Sequence, residues 1–167
     1  MQTSQPNQPV LLEYIQRGDK ISCNEQQYKA AIATREFLLG PSDPATAKCY
    51  NGLGDLYIKL GRLEEAEEYL SRALQVRSSG PLFDAAVTRD NLGCIYEMKG
   101  DIQKAREMRI TDEHVICGLY ECASQRLYRL NEISRCSKCK CIFYCSAQCQ
   151  RNDWPRHKAY CKSTGVI

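Results

Sequence analysis

The sequence predicts an all-α array of repeated helical hairpins followed by a small cysteine-rich module with little regular structure. Two observations carry the array. The string Leu53-Gly54-Asp55-Leu56-Tyr57, then Gly61 and Ala66, recurs as Leu92-Gly93-Cys94-Ile95-Tyr96, then Gly100 and Ala105. Strong helix breakers, Gly40-Pro41-Ser42-Asp43-Pro44 and Ser78-Ser79-Gly80-Pro81, separate the units. A third observation carries the module: of 11 cysteines, eight lie between Cys117 and Cys161.

The 167 residues suffice for one ordinary domain or two small ones, and a 43% hydrophobic share leaves enough apolar side chain for a buried core. A net charge of +3 is too small to argue for nucleic acid or a membrane surface. No apolar run approaches the roughly 18 residues of a membrane span. The start, MQTSQPNQPV, has neither the basic nor the apolar region of a secretory signal. Its Gln/Pro/Asn/Ser content predicts disorder over 1–9. The expected location is therefore inside the cell, cytoplasmic or nuclear, where disulfides do not persist. Cys23, Cys49 and Cys94 are scattered and read as small core residues.

The helical array is expected over 10–113. Leu11, Leu12, Tyr14 and Ile15, after Pro9, would form the first helix of a worn repeat, and Tyr28 to Glu36 its second. In the two clear repeats each residue has a physical task. Gly54 and Gly93 let paired helices approach closely, and Gly61 and Gly100 suit left-handed C-caps. Ala66 and Ala105 keep the second helix tight against the first, while Tyr57 and Tyr96 fill the space between. A helix after residue 112 is expected to cap the array. This register resembles the tetratricopeptide repeat, and the 39-residue step from Leu53 to Leu92 resembles the longer repeat of kinesin light chains. The resemblance implies a peptide-holding groove lined by Lys48, Asn51, Asp55, Lys59, Val87, Asp90 and Cys94. Its mixed charge lacks the carboxylate clamp of chaperone-binding arrays. The plainer reading makes these residues solvated helix faces.

The remaining cysteines fall in pairs: Cys117-x4-Cys122, Cys136-x2-Cys139, Cys145-x3-Cys149, and then His157-x3-Cys161. With Cys141 set aside, these are eight ligands for two tetrahedral metal sites, and thiolates with one imidazole suit structural zinc. Catalytic zinc would keep a position open for water, and none is spare. No enzymatic site is expected.

The string from Tyr144 to Cys161, Y-C-S-A-Q-C-Q-R-N-D-W-P-R-H-K-A-Y-C, preceded by Cys136-Ser137-Lys138-Cys139-Lys140, closely resembles the MYND zinc finger. The finger is expected over 114–162, with a short tail over 163–167. The resemblance implies interleaved sites: Cys117, Cys122, Cys145 and Cys149 for one zinc, and Cys136, Cys139, His157 and Cys161 for the other. The first pair departs from the family's C-x2-C. A longer knuckle can still reach one metal, and His114 is the alternative ligand, although it reads as an ordinary surface histidine. Cys141 reads as a spectator whose thiol, if exposed, could be oxidised. Asp153 is expected to cap a short helix begun by Pro155, and Trp154 to be half exposed or, alternatively, the plug of a tiny core. So small a module buries too little apolar surface to fold alone. Structural zinc, at about 10–16 kcal/mol per site in finger peptides, is large enough to offset the ordering cost.

MYND fingers take up short Pro-x-Leu-x-Pro-like peptides, and the contacts implied here are Ser137, Gln150 and Trp154. Direct nucleic-acid binding is the rival. The finger's nine basic residues outnumber three acidic ones, but metal-bound thiolates reduce the net to about +3. No helix presents base-reading residues in the manner of a DNA-binding finger. A third class is a remnant of a SET-type methyltransferase lacking its catalytic domain; no SET-like N-H-S-C or G-E-E-L string is present. The expectation is a non-enzymatic adaptor with two peptide-binding surfaces, of the sort found in transcriptional regulation.

Overall fold

The computed structural model describes residues 18–110 and 112–162, with side chains from residue 24 onward. The helix expected over Leu11 to Ile15, the disorder over 1–9, the tail over 163–167 and the side chain of Cys23 lie outside the described residues.

Five helices form the array: α1 (Gly18–Leu39), α2 (Pro44–Lys59), α3 (Leu63–Arg77), α4 (Leu82–Lys99) and α5 (Ile102–Arg109). Their ends follow from local chemistry. Asp43 accepts the amide of Ala45 at 2.8 Å and Pro44 occupies the first turn, so α2 begins where the breaker ends. Gly61 and Gly100 turn the chain at φ of +72° and +84°, a backbone region costly for residues with a Cβ. Asp101 then caps α5 by accepting the amide of Lys104.

Each hairpin closes over its inner glycine. A Cβ on Gly54 would stand 2.5 Å from Leu70 Cγ, and one on Gly93 2.6 Å from Arg109 Cγ. Ala66 and Ala105 are fully buried opposite them. Tyr50, Leu53, Tyr57, Leu70 and Ile95 fill the main core, each large side chain contributing about 1.5–3 kcal/mol on burial. Tyr57 sits inside as expected. Tyr96 is only half-buried, and its hydroxyl donates to Glu67 on α3, joining the two hairpins. α1 is fastened by polar contacts as well as packing: Glu25 accepts from Tyr57 and Arg62, both at 2.9 Å, and Glu36 from Tyr50 and Arg72.

After α5 the chain departs from expectation. No helix follows residue 112 until α6 (Ala147–His157); two short antiparallel pairs come first, β1 (His114–Val115) with β2 (Tyr128–Arg129) and β3 (Ser134–Arg135) with β4 (Phe143–Tyr144). The cysteine-rich module itself closes the array. Ile102 and Ala105 of α5 share one apolar cluster with Cys136, Cys139, Ile142 and Tyr144. α5 has only eight residues, and it packs on α4 at Gly93 through Ala105 and Arg109 while Ile102 joins the module's cluster.

The cap on α6 also differs. Ser146 opens the helix by accepting the amide of Cys149 at 3.1 Å, and Pro155 lies inside it. Asp153 is buried and accepts from the Tyr144 hydroxyl at 2.7 Å and from Arg156, so it braces the helix from within. Among the described residues no helix is long and apolar enough to cross a membrane.

Candidate metal centre

Two sets of four ligand atoms converge, each within 4.8 Å of one another: Cys117, Cys122, Cys145 and Cys149, and Cys136, Cys139, His157 and Cys161. Their spacing tests for zinc. Four thiolates at about 2.3 Å from a tetrahedral ion stand about 3.8 Å apart, and a thiolate and an imidazole nitrogen about 3.6 Å. Cys122 lies 3.5 Å from Cys145 and 3.9 Å from Cys149, and Cys145 3.5 Å from Cys149. In the second set Cys136 and Cys161 are 3.7 Å apart, and His157 Nε2 is 3.5 Å from Cys139 Sγ. These are tetrahedral edges and far too long for disulfide bonds. The residues fit two structural zinc ions, the chemistry of which is to tie four distant points of the chain together without an open position.

Local backbone delivers the ligands. Lys140, at φ +58°, turns the chain so that its amide returns to the Cys136 carbonyl at 3.0 Å, the knuckle of the second site. Helix α6 carries Cys149 in its first turn and His157 in its last, about 12 Å apart at 1.5 Å per residue. It is the strut between the two sites. The first set is partly exposed at Cys145 and Cys149, whereas all four ligands of the second are buried.

The buried second site rests on the array. His157 Nδ1, the ring nitrogen pointing away from Cys139, bonds Glu97 of α4. Glu97 is 0% exposed and Arg109, which reaches it at 2.6 Å, 2%. Arg109 also contacts Asp90 at 3.0 Å and donates to the Cys141 carbonyl at 3.0 Å. Burial alone would raise the Glu97 carboxyl. The bond from His157 and the charges of Arg109 and Arg156 outweigh it and hold the group at about 2.

No motif marks Glu97, Arg109 or Arg156, yet the repeat carries a signal for two of them. In the preceding repeat the register positions of Glu97 and Arg109 hold Ile58 and the fully buried Leu70. A carboxylate and a guanidinium have replaced an apolar pair.

His114 lies outside both sets, its Nδ1 2.7 Å from the Asp112 carbonyl. Cys141 is buried, not exposed, with its thiol 3.4 Å from Cys139 Sγ. Cys49 is buried and Cys94 partly so, the latter 3.6 Å from Arg156. Ser137 is exposed beside Cys136, Gln150 half-buried, and Trp154 43% exposed with its ring edge-on to His157. Gln150 and Trp154 are one turn apart on α6 and share a face. Of the expected groove residues, Asn51, Asp55, Val87 and Asp90 line a cleft of about 350 Å³. Its other wall is the module's Cys117–Arg126 stretch, where Tyr120 bonds Asp55 and lies under the Lys59 ammonium. Cys94 lies instead beneath Arg156 of the module.

The fold and the two ligand sets define a helical-repeat protein fused to a structural two-zinc interaction module. The family profile "Tetratricopeptide repeat" matches residues 25–79 and 57–108, and "MYND finger" matches 117–161. The chain belongs to the tetratricopeptide-repeat proteins and carries a MYND finger at the end of the array. Over the finger it is 46% identical along 39 residues to N-lysine methyltransferase SMYD2 of Mus musculus, covering 23% of this chain and 9% of that protein. It is 51% identical along 35 residues to SMYD2-B of Xenopus laevis, covering 21% and 8%, and 48% along 39 residues to SMYD2 of Homo sapiens, covering 23% and 9%. The chain thus spans less than a tenth of the length of these relatives.

Proposed function

We propose that the chain is a non-enzymatic adaptor whose finger captures short proline-containing peptides with Ser137, Gln150 and Trp154, inside the cell and in a setting such as transcriptional regulation. The observation that carries the reading is Trp154. A large aromatic left 43% exposed beside Gln150, on a helix that bears a zinc ligand near each end, is a rigid platform for an extended proline-rich ligand. With all eight ligands committed to two closed sets, neither metal position is left for a substrate or an activated water. Methyl transfer, named in the relatives, stays outside this proposal because the matched stretch is the finger alone. The cleft between Asn51, Asp90 and Tyr120 would be a second docking surface, shared by array and finger. Two weak contacts on one chain gain from effective concentration.

The test is Trp154→Ala in the full chain against an array of Pro-x-Leu-x-Pro peptides. Capture should fall at least about tenfold, as for an aromatic anchor, while native mass spectrometry still counts two zinc ions. Undiminished capture would remove the platform from the reading.

A further inference from the structure

The second repeat holds a costly feature that the first does without. Where Ile58 and Leu70 stand in one hairpin, Glu97 and Arg109 stand in the other, both buried. A buried ion pair adds little stability over an apolar pair of similar volume, because desolvation cancels most of the attraction. Its presence calls for a different gain. The geometry supplies one: Glu97 Oε1 faces His157 Nδ1, while His157 Nε2 is the atom turned toward Cys139, and Arg109 and Arg156 hold the other carboxylate oxygen at 2.6 and 3.7 Å. An imidazole that donates one N–H to a carboxylate has its tautomer and ring plane fixed, and its other nitrogen becomes a better metal ligand.

We propose that Glu97, on the helical array, is the positioning residue for His157 of the second zinc site, so that array and finger form one metal-linked unit. The inference is independent of what the finger captures. It follows that the second site draws its affinity partly from a helix about 60 residues away in sequence, whereas among the described residues the first set's side-chain bonds run to the finger's own Ser124, Cys145 and Cys149. Zinc at the second site in turn stabilises α4 and α5, since ligand binding to the native state alone shifts folding in its favour.

The test uses the zinc-loaded full chain. In the wild type, 15N correlation spectra of the histidine rings should show His157 protonated at Nδ1 and metal-bound at Nε2; the opposite tautomer would overturn the proposal by itself. Glu97→Gln keeps an acceptor but not the charge. The double variant E97I with R109L restores the apolar pair of the first repeat; it also takes Arg109 from Asp90 and from the Cys141 carbonyl, so R109L alone is the control for that loss. In both, titration with a chromophoric chelator should show the second site weakened about 10–100-fold, with the first site unchanged. Cadmium-113 NMR separates the sites, because one has four sulfurs and the other three sulfurs and a nitrogen. Unchanged affinity at the second site, or equal loss at both, would reduce Glu97 to a packing role and sink the idea. Should either variant fail to fold, the wild-type His157 Nδ1–H decides: a downfield proton protected from exchange with water is expected, and rapid exchange would overturn the proposal. A wild-type count below two zinc ions would instead refute the two-site reading, a separate failure.

Discussion

Gly54 and Gly93 occupy matching places in the two hairpins, but they are not equally replaceable. A methyl group at Gly54 meets Leu70 Cγ at 2.5 Å, a buried side chain, and backbone no nearer than 3.3 Å. At Gly93 it meets the Ala105 carbonyl oxygen at 2.9 Å as well as Arg109. Alanine regains about 0.5–1 kcal/mol of helix propensity, against an overpacking cost of about 1–3 kcal/mol. Gly54→Ala should therefore lose about 1 kcal/mol and Gly93→Ala at least about 2, read as urea midpoints of the zinc-loaded protein. Equal losses would contradict the placement of the Ala105 carbonyl. The need for small residues here is legible in the sequence, because glycine, tyrosine and alanine recur at fixed offsets. Which glycine tolerates a methyl is not, because that depends on the atom across the interface.

Helix α6 is the element on which the finger depends. Its first turn holds a ligand of one site, its last turn a ligand of the other, and Asp153 between them accepts from Tyr144 and Arg156. Removing the cap with Ser146→Ala should cost about 1 kcal/mol and speed amide exchange at Cys149, with both zinc ions retained. Loss of a metal ion on that change would show the helix to be less firmly held than the ligand geometry implies. Proline at a first helical turn is a sound signal, and it misplaces this helix start by two turns. Pro155 is tolerated within the last turn because there it removes only one bond, while Ser146 and the two ligands set the length. The short strands carry no such signal at all. Two-residue pairs such as Ser134–Arg135 with Phe143–Tyr144 have no periodicity to read.

At the scale of the molecule, the contacts between array and finger include the apolar cluster from Ile102 to Tyr144, the Glu97–His157–Arg109 network, Arg156 against Cys94, and Tyr120 against Asp55 and Lys59. The cysteine-rich segment replaces the terminal helix that a repeat array would otherwise need. Chelation should accordingly expose more than the finger. Hydrogen exchange after zinc removal should rise across 114–162 and also in α4 and α5, whereas α2 and α3, packed around Tyr50, Leu53, Tyr57 and Leu70, keep their protection. Unaltered protection of α4 and α5 would mean that the two parts fold independently.

The sequence by itself determined the repeat register, the left-handed turns at Gly61 and Gly100, and the four ligand pairs, because each is written in residue types at short, fixed spacings; their interleaving into two sets was implied by the resemblance to the MYND finger. The extended first knuckle, Cys117-x4-Cys122, brings both its sulfurs within 4.8 Å of those of Cys145 and Cys149. Only the tertiary structure decided that the finger closes the array, that Cys141 is buried, and that a carboxylate on α4 faces the histidine of the second site. Those facts belong to surfaces brought together from opposite ends of the fold. Burial and hydrogen bonding between residues some 60 positions apart leave no local pattern, apart from one pair of charges standing where the neighbouring repeat is apolar.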